Sequence, residues 1–234
     1  MPVTDPQLLS QAHLTGEASC PEFRPHFLKP NICTDCSKLI TKHSAASIRD
    51  DQMLLKALEY SQQGEKVPSC VLDVTDQWGG LYLGGYRAVM NQGFLKDQKV
   101  SSIVNTAKGL EIFGPKYLEA VDKAKKELHI KFLNTDWMDS TIFQIPLQDL
   151  VECVQFIHTA RISGSSVLVH CAQGKSRSAT AVVAYIMAIN KMSRDDALAL
   201  VKERRKMAEP NPEFMTVLKQ FESSEELKKL QTKL

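Results

Sequence analysis

The chain is organised around the stretch Ser165-Ser-Val-Leu-Val-His170-Cys171-Ala-Gln-Gly174-Lys-Ser176-Arg177-Ser178-Ala-Thr-Ala-Val-Val-Ala-Tyr185. Its apolar, β-branched first part predicts a buried strand, and its apolar second part, which contains no helix breaker, predicts a helix. The small and polar residues between them predict a tight loop. The N–H groups of such a loop point inward and a helix begins at its end, so this order of elements favours the binding of an anion.

Four side chains give this loop its predicted chemistry. A thiol at Cys171 would lie in electropositive surroundings, which lower a cysteine pKa from about 8.5 to roughly 3.5–7.5. The planar guanidinium of Arg177 can bind two oxygens of a phosphoryl group at once. Ser178 can donate a hydrogen bond to the thiolate, and His170 is placed to hold the loop. The sequence therefore predicts a phosphate-binding loop that carries a nucleophile.

Length and composition limit the classes of protein to which the chain could belong. The 234 residues suit one medium-sized domain with or without a small extension, and the net charge of +2 gives no indication of nucleic-acid binding. No stretch approaches the roughly 20 apolar residues of a membrane-spanning helix, and residues 1–6 lack the pattern of a secretory signal. The six cysteines are not spaced as in a disulfide scaffold. We therefore expect a reducing compartment, the cytoplasm or alternatively the nucleus.

Strand and helix patterns alternate over most of the chain. The predicted strands are 71–74, 81–83, 100–105, 129–133 and 167–169, and the predicted helices are 88–95, 117–128, 146–162, 179–187, 194–205 and 213–230. This alternation predicts an α/β fold in which helices flank a central, mostly parallel sheet. Ligands bind beyond the carboxyl ends of strands in such sheets, which is where Cys171 would lie.

The chain is predicted to have two parts. We expect residues 66–228 to form the α/β domain and residues 1–65 to form a partly disordered extension, with a helix over 45–62. In this extension Cys33 and Cys36 have the spacing of metal ligands. Cys20, His26 and His43 could complete a tetrahedral zinc site, which would need four of the five side chains. Ordinary thiols in a short amphipathic segment are the alternative, so the sequence assigns no metal ligand and leaves a small docking element as a hypothesis.

The loop His170-Cys171-Ala-Gln-Gly174-Lys-Ser176-Arg177-Ser178 resembles the signature of cysteine-dependent protein tyrosine phosphatases, and more narrowly that of the dual-specificity branch. Further landmarks follow in the family's order: Leu81-Tyr-Leu-Gly84, Val104-Asn105, Pro210-Asn211 and Phe214. The resemblance covers about residues 70–225. The first 65 residues are too few for the targeting domain of the map-kinase phosphatases. The chain therefore looks like a compact, atypical member with a protein tyrosine phosphatase-like fold.

The resemblance implies a role for each residue of the loop. Cys171 would be the nucleophile that forms a phosphocysteine intermediate, and Arg177 would bind the phosphate. Ser178 would assist the departure of the sulfur. The implied phosphate-binding loop comprises Ala172, Gln173, Gly174, Lys175, Ser176 and Arg177. The reaction that the resemblance implies requires neither a metal ion nor an organic cofactor.

The reaction also requires an acid that protonates the leaving oxygen. Asp136 and Asp139 both qualify by chemistry, because both lie between a predicted strand and a predicted helix. The resemblance favours Asp139, since related enzymes place this acid about thirty residues before the cysteine and an aliphatic residue six positions after the acid. Asp139 precedes Cys171 by 32 residues, and Ile145 follows it by six. Asp149, on a predicted helix, is interpreted as a solvated surface charge.

Phosphorylated proteins are the partners that the resemblance implies, with phosphotyrosine and phosphoserine or phosphothreonine as substrates. Phosphoinositide phosphatases often carry extra lysines in the loop. Lys175 is the single lysine here, so a phosphoinositide substrate is the secondary hypothesis. A phosphate-binding scaffold without turnover is the alternative from a different class, against which the presence of Cys171, Arg177 and an acid argues. We expect no nucleic-acid partner and no membrane insertion.

Overall fold

A computed structural model describes residues 14–18, 20–25, 32–48, 52–54 and 67–234. The chain divides into two compact units, Met1–Gly64 and Glu65–Leu234. The described residues of the first unit include two short 3-10 helices, Ile40–Lys42 and Ala45–Ser47. Residues 1–13, His26 and most of the helix predicted over 45–62 lie outside the described residues.

The second unit is built on a five-stranded sheet with the order β1-β2-β5-β3-β4. The strands are β1 Ser69–Leu72, β2 Leu81–Gly85, β3 Val100–Asn105, β4 Lys131–Asn134 and β5 Ser166–Cys171. The central strand β5 runs parallel to both of its neighbours, β2 and β3, and β4 runs parallel to β3. β1 is antiparallel to β2 at one edge. The sheet, with its flanking helices, confirms the predicted α/β fold.

Helices follow or separate most of these strands. They are α1 Arg87–Met90, α2 Gln92–Asp97, α3 Pro115–Lys126, α4 Leu147–Ile162, α5 Arg177–Asn190, α6 Arg194–Arg204, α7 Pro212–Glu222 and α8 Glu225–Lys233, with a short 3-10 helix at Leu110–Phe113. None of the helices in the described part of the chain combines the length and the apolar character that crossing a membrane requires.

Two predicted helices were wrong, because each is a pair of shorter helices. The segment 88–95 contains the end of α1 and the start of α2, and the side chain of Asn91 accepts the N–H of Phe94 to cap α2. The segment 213–230 is broken between α7 and α8, where the Ser224 hydroxyl accepts the N–H of Leu227. Polar side chains of this kind replace the missing hydrogen bonds at a helix start. The hydrophobic periodicity of a sequence does not reveal where such a cap begins a new helix.

The core explains why the segment after β5 is held firmly. Every residue of β5 is buried, and its alternating side chains enter apolar clusters on opposite faces of the sheet, Val167 and Val169 on one face and Leu168 on the other. Helix α5 is buried from Ser178 to Ala188, because the helices α4, α6, α7 and α8 surround it together with β5 and β2. The loop between β5 and α5 is therefore anchored at both ends in the best-packed part of the unit.

Candidate active site

The loop between Cys171 and Arg177 is shaped by Gly174. This residue has φ 76°, a left-handed conformation that side chains rarely adopt. A Cβ atom at Gly174 would also lie only 2.5 Å from the carbonyl carbon of Gly84. Both the conformation and the close approach to β2 therefore require glycine. The turn points the Gly174 N–H into the loop, where it donates to Cys171 Sγ at 3.2 Å.

The thiol of Cys171 lies at the floor of this loop and is buried. The hydroxyl of Ser178, in the first turn of α5, donates a second hydrogen bond to Sγ at 3.2 Å. Burial alone would raise the pKa of the thiol. The positive charge of Arg177 and the hydrogen bonds from Ser178 and Gly174 outweigh burial and hold the Cys171 pKa below its ordinary value. The site therefore favours the thiolate, the nucleophilic form of cysteine.

Arg177 faces the segment between β4 and α4. Its Nη1 donates to the carbonyl oxygen of Trp137 at 3.2 Å, and its Nε lies 3.6 Å from Asp139 Oδ2. The Nε–H is buried and has no hydrogen-bond acceptor among the described residues. A buried N–H in this position costs free energy unless it meets an acceptor. The guanidinium can thus still donate to an anion in the loop.

Asp139 is held against the loop through one of its oxygens. Ser176 Oγ donates to Asp139 Oδ1 at 2.9 Å, and Asn211 Nδ2 donates to the same oxygen at 3.1 Å. The backbone N–H of Asn211 in turn donates to Ser176 Oγ at 3.2 Å. The other oxygen, Oδ2, faces Arg177, and the carboxyl remains partly open to solvent. Asp136 is exposed and forms no hydrogen bond or ion pair with the residues that the structure describes.

The acid-bearing segment is fixed by a contact that sequence reasoning missed. Trp137 is almost fully buried, and its Nε1–H donates to Asp149 Oδ2 at 2.9 Å. The interpretation of Asp149 as a solvated surface charge is therefore wrong: this carboxylate, in the first turn of α4, binds the indole two residues before Asp139. The buried tryptophan packs the segment, whereas the neighbouring Met138 is half exposed.

Arg205 holds the outer side of the loop, and its role was also missed. The buried guanidinium donates to the carbonyl oxygens of Gly174 at 2.7 Å and Gln173 at 3.0 Å, and to Ser69 Oγ at 3.1 Å. With these carbonyl groups held outward, the loop N–H groups are free to face the side of Cys171. The sequence marks Arg205 only as the end of a helix, because nothing local connects it to a loop 31 residues earlier.

His170 is fully buried directly before the nucleophile candidate. Its Nδ1 lies 3.3 Å from the carbonyl oxygen of Cys171, so the ring contacts the backbone at the start of the loop. Burial lowers the pKa of His170 to about 4, so the ring is neutral at physiological pH. The carbonyl oxygen of His170 accepts hydrogen bonds from Thr106 through both its N–H and its hydroxyl. These contacts fix the end of β5 against the segment after β3.

Lys175, within the loop, has a charge that is paired with a carboxylate. Lys175 Nζ lies 2.7 Å from Glu209 Oε2, and the Lys175 carbonyl oxygen accepts the backbone N–H of Glu209 at 2.7 Å. Hydrogen bonding to Lys175 and its positive charge lower the pKa of Glu209. The lysine therefore forms an ion pair at the rim of the loop.

Four of the five metal-ligand candidates in the first unit lie together. Their ligand atoms are all within 4.8 Å of one another, in the set Cys20, Cys33, Cys36 and His43. Burial opposes ionisation of Cys33, but neighbouring backbone N–H groups outweigh it and lower the pKa of this thiol to about 6. The fifth candidate, His26, lies outside the described residues.

Comparisons with known proteins point to one family. A family model described as the dual specificity phosphatase catalytic domain matches residues 81–224. Dual specificity protein phosphatase 1 of Arabidopsis thaliana is 33% identical over 204 residues, which are 83% of this chain and 91% of that protein. Dual specificity protein phosphatase 1B of the same plant is 35% identical over 157 residues, 65% of this chain and 83% of the relative. The crystal structure of human DUSP28 superposes with a TM-score of 0.53 at 27% identity and covers 64% of this chain and 91% of that one.

Proposed function

The chain belongs to the dual-specificity phosphatase family and is a protein phosphatase, and we propose that it hydrolyses phosphotyrosine and phosphoserine or phosphothreonine through a phosphocysteine intermediate on Cys171. The observation that carries the proposal is the meeting of three groups at one loop. The thiol of Cys171 has a lowered pKa, Arg177 keeps a buried donor without an acceptor among the described residues, and Asp139 lies 3.6 Å from that donor.

In the first step the Cys171 thiolate attacks phosphorus in line with the leaving oxygen. A sulfur–phosphorus bond forms while the bond from phosphorus to the leaving oxygen breaks. The loop N–H groups and the guanidinium of Arg177 bind the other phosphoryl oxygens, whose negative charge they stabilise. The buried Nε–H of Arg177 then gains the acceptor that it lacks among the described residues.

Asp139 supplies the proton that the leaving oxygen needs. A phenolate or alkoxide leaves slowly unless it is protonated in the transition state, and a positioned acid contributes about 10²–10⁴-fold to such a step. Ser176 and Asn211 both donate to Oδ1, so the proton to be transferred belongs on Oδ2. This oxygen faces Arg177 and hence the phosphate that Arg177 would bind.

In the second step a water molecule attacks the phosphocysteine. Asp139, now a carboxylate, removes a proton from this water, and the sulfur–phosphorus bond breaks to release inorganic phosphate. The electron pair returns to Cys171 Sγ as a thiolate. The hydroxyl of Ser178, which donates to Sγ at 3.2 Å, stabilises that leaving group.

The rim of the loop favours phosphorylated proteins over phosphoinositides as substrates. A polyanionic lipid headgroup would be bound by additional cations around the loop, but the charge of Lys175 is paired with Glu209 at 2.7 Å. Dual specificity within phosphoproteins is the activity for which the family is named.

The test is phosphate release from three substrates by the full chain and by Cys171→Ser. The substrates are a phosphotyrosyl peptide, the same peptide with phosphothreonine in that position, and a water-soluble phosphoinositide. We expect the wild-type chain to hydrolyse both peptides faster than the phosphoinositide, and Cys171→Ser to hydrolyse none. Hydrolysis of phosphotyrosine alone would contradict dual specificity, and preference for the phosphoinositide would contradict the proposed substrate class.

A further inference from the structure

We propose that Cys20, Cys33, Cys36 and His43 form a structural zinc site in the first unit of the chain. No step of the phosphatase reaction uses these residues. The proposal goes beyond the spacing of two cysteines, because the structure brings together ligands that are up to 23 residues apart in the sequence.

The distances fit a tetrahedron of ligands around one zinc ion. Zinc binds sulfur at about 2.3 Å and imidazole nitrogen at about 2.0–2.1 Å, which gives tetrahedral edges of about 3.8 Å between two sulfurs and about 3.5 Å between sulfur and nitrogen. Cys20 Sγ and Cys33 Sγ are 3.8 Å apart, and Cys36 Sγ lies 3.4 Å from His43 Nε2. Two independent edges of the cluster thus have the lengths that a shared metal would impose.

The imidazole of His43 is oriented as a ligand. Its Nδ1 lies 3.0 Å from the carbonyl oxygen of Leu39, which accepts the Nδ1–H. Its Nε2 then carries a lone pair and faces the sulfurs. The ring is fully buried, and Phe23 packs edge-on against it at 5.0 Å between ring centroids. A backbone carbonyl that fixes the tautomer in this way is the usual second contact of a zinc-bound histidine.

The backbone around Cys33 and Cys36 forms a tight turn that aims both sulfurs to the same side. The N–H of Cys33 donates to the carbonyl oxygen of Lys38, and the N–H of Ser37 donates to the carbonyl oxygen of Cys33, both at 2.9 Å. Ser37 takes the left-handed conformation, with φ 56°. The strain of that conformation at a serine persists where the surroundings require it, and paired metal ligands are such a requirement.

A disulfide does not account for the cluster. Bonded sulfurs lie about 2.05 Å apart, whereas the sulfurs of Cys20 and Cys33 are separated by 3.8 Å and the three cysteines are free. A disulfide would also leave the third thiol and the oriented imidazole without a function. A single tetrahedral metal uses all four groups.

The small size of the unit gives a physical reason for a metal. Among the described residues, its buried apolar cluster comprises Phe23, Cys33, Ile40, Ile48 and Leu54. A unit as short as Met1–Gly64 can build only a modest hydrophobic core, and units of this size are often stabilised by a metal or by disulfides. A structural zinc ion contributes its binding free energy directly to folding.

The donor set also selects the metal and its role. Three thiolates and one imidazole in tetrahedral arrangement suit zinc, whereas calcium and magnesium prefer oxygen ligands. Four protein ligands close the coordination sphere and leave no position for a reacting water molecule. The site is therefore structural rather than catalytic.

The first measurement is the zinc content of the full chain after desalting, by elemental mass spectrometry. We expect one zinc ion per chain in the wild type, and the same in Cys171→Ser and in Cys70→Ser, a matched control at a free cysteine of the second unit. Cys36→Ser should lose the zinc. A wild-type chain without zinc, a Cys36→Ser variant that retains it, or a Cys171→Ser variant that loses it would overturn the proposal.

A second measurement distinguishes loss of a ligand from loss of folding. The full chain loaded with cobalt should show the intense visible bands of tetrahedral cobalt and the charge-transfer absorption of thiolate ligands. His43→Cys should still bind cobalt with a shifted spectrum, because a fourth thiolate replaces the imidazole. Weak octahedral bands in the wild type, or a His43→Cys spectrum identical to that of the wild type, would contradict the site.

Discussion

The chemistry of the loop depends on a few hydrogen bonds that hold each functional group in one state. Cys171 is favoured as thiolate by Arg177, Ser178 and the N–H of Gly174, although burial alone would favour the thiol. In the proposed mechanism Asp139 uses Oδ2 for proton transfer, because Ser176 and Asn211 occupy Oδ1. The hydrogen bonds to Cys171 and those to Asp139 come from different donors, so substitutions at the two residues should have different effects.

The acid role of Asp139 is tested by Asp139→Asn, which keeps an oxygen to accept from Ser176 but cannot donate a proton at neutral pH. We expect a fall of about 10²–10⁴-fold in turnover of phenyl phosphate, a substrate with a poor leaving group. The burst of p-nitrophenol from p-nitrophenyl phosphate should fall far less, since this leaving group needs no proton and the burst precedes the step in which Asp139 acts as base. Asp136→Asn, at the exposed alternative, is the control and should resemble the wild type. If Asp136→Asn lost turnover of phenyl phosphate and Asp139→Asn kept it, Asp136 would be the acid.

His170 should make the catalytic unit less stable in mild acid. Its folded-state pKa is about 4 because the ring is buried, whereas an exposed histidine has a pKa of about 6.5. Between these values the unfolded chain binds a proton that the folded chain does not, so the free energy of unfolding decreases as the pH falls from about 6.5 to about 4. The loss attributable to His170 between pH 7 and pH 5 is about 2 kcal/mol.

Urea unfolding followed by tryptophan fluorescence measures this effect, because both tryptophans, Trp78 and Trp137, belong to the second unit. His170→Asn should show a smaller decrease in unfolding free energy between the two pH values than the wild type. His129→Asn is the matched control, since His129 is exposed and its φ of 53° suits asparagine. Equal pH dependence in His170→Asn and the wild type would show that His170 does not cause the loss of stability.

At the scale of elements, the phosphate loop is shaped as much by what lies behind it as by its own sequence. The pattern of a buried strand, small polar residues and an apolar helix is local, so β5, the loop and α5 could be predicted from the sequence. Arg205 could not, because three of its hydrogen bonds join the end of α6 to the loop and to β1. The break between α7 and α8 was missed for a related reason, since the hydroxyl of Ser224 outweighs a helical pattern that continues across it.

Arg205→Lys tests this support of the loop. A lysine keeps the charge but cannot reproduce three directed hydrogen bonds, each of which contributes about 0.5–1.5 kcal/mol. We expect orthovanadate, a phosphate analogue, to inhibit the variant at least about tenfold less tightly, since 1.4 kcal/mol corresponds to that factor. Arg204→Lys, one residue earlier and half exposed, should behave as the wild type. Unchanged inhibition of a folded Arg205→Lys variant would show that the loop does not need this support.

At the scale of the whole molecule, the fold class follows from the alternation of strands and helices. The order β1-β2-β5-β3-β4 does not, because it depends on long-range pairing that no local pattern encodes. The candidate site, likewise, could be predicted from the sequence only in part. Cys171, Arg177 and Ser178 lie in one contiguous motif, whereas the choice of Asp139 over Asp136 needed the family resemblance. In the first unit, spacing alone suggested two metal ligands, and only the three-dimensional structure joins Cys20 and His43 to them.

The central claim is that Cys171 is the nucleophile, and steady-state hydrolysis of p-nitrophenyl phosphate by wild type and Cys171→Ser, with no metal added, tests it most directly. A serine hydroxyl remains protonated where the thiol ionises, so the account predicts a loss of at least about a thousandfold in kcat. Tryptophan fluorescence would verify that the variant is folded. A folded Cys171→Ser variant that retained more than about a tenth of the wild-type rate would contradict the account, because the phosphocysteine could not then lie on the main reaction path.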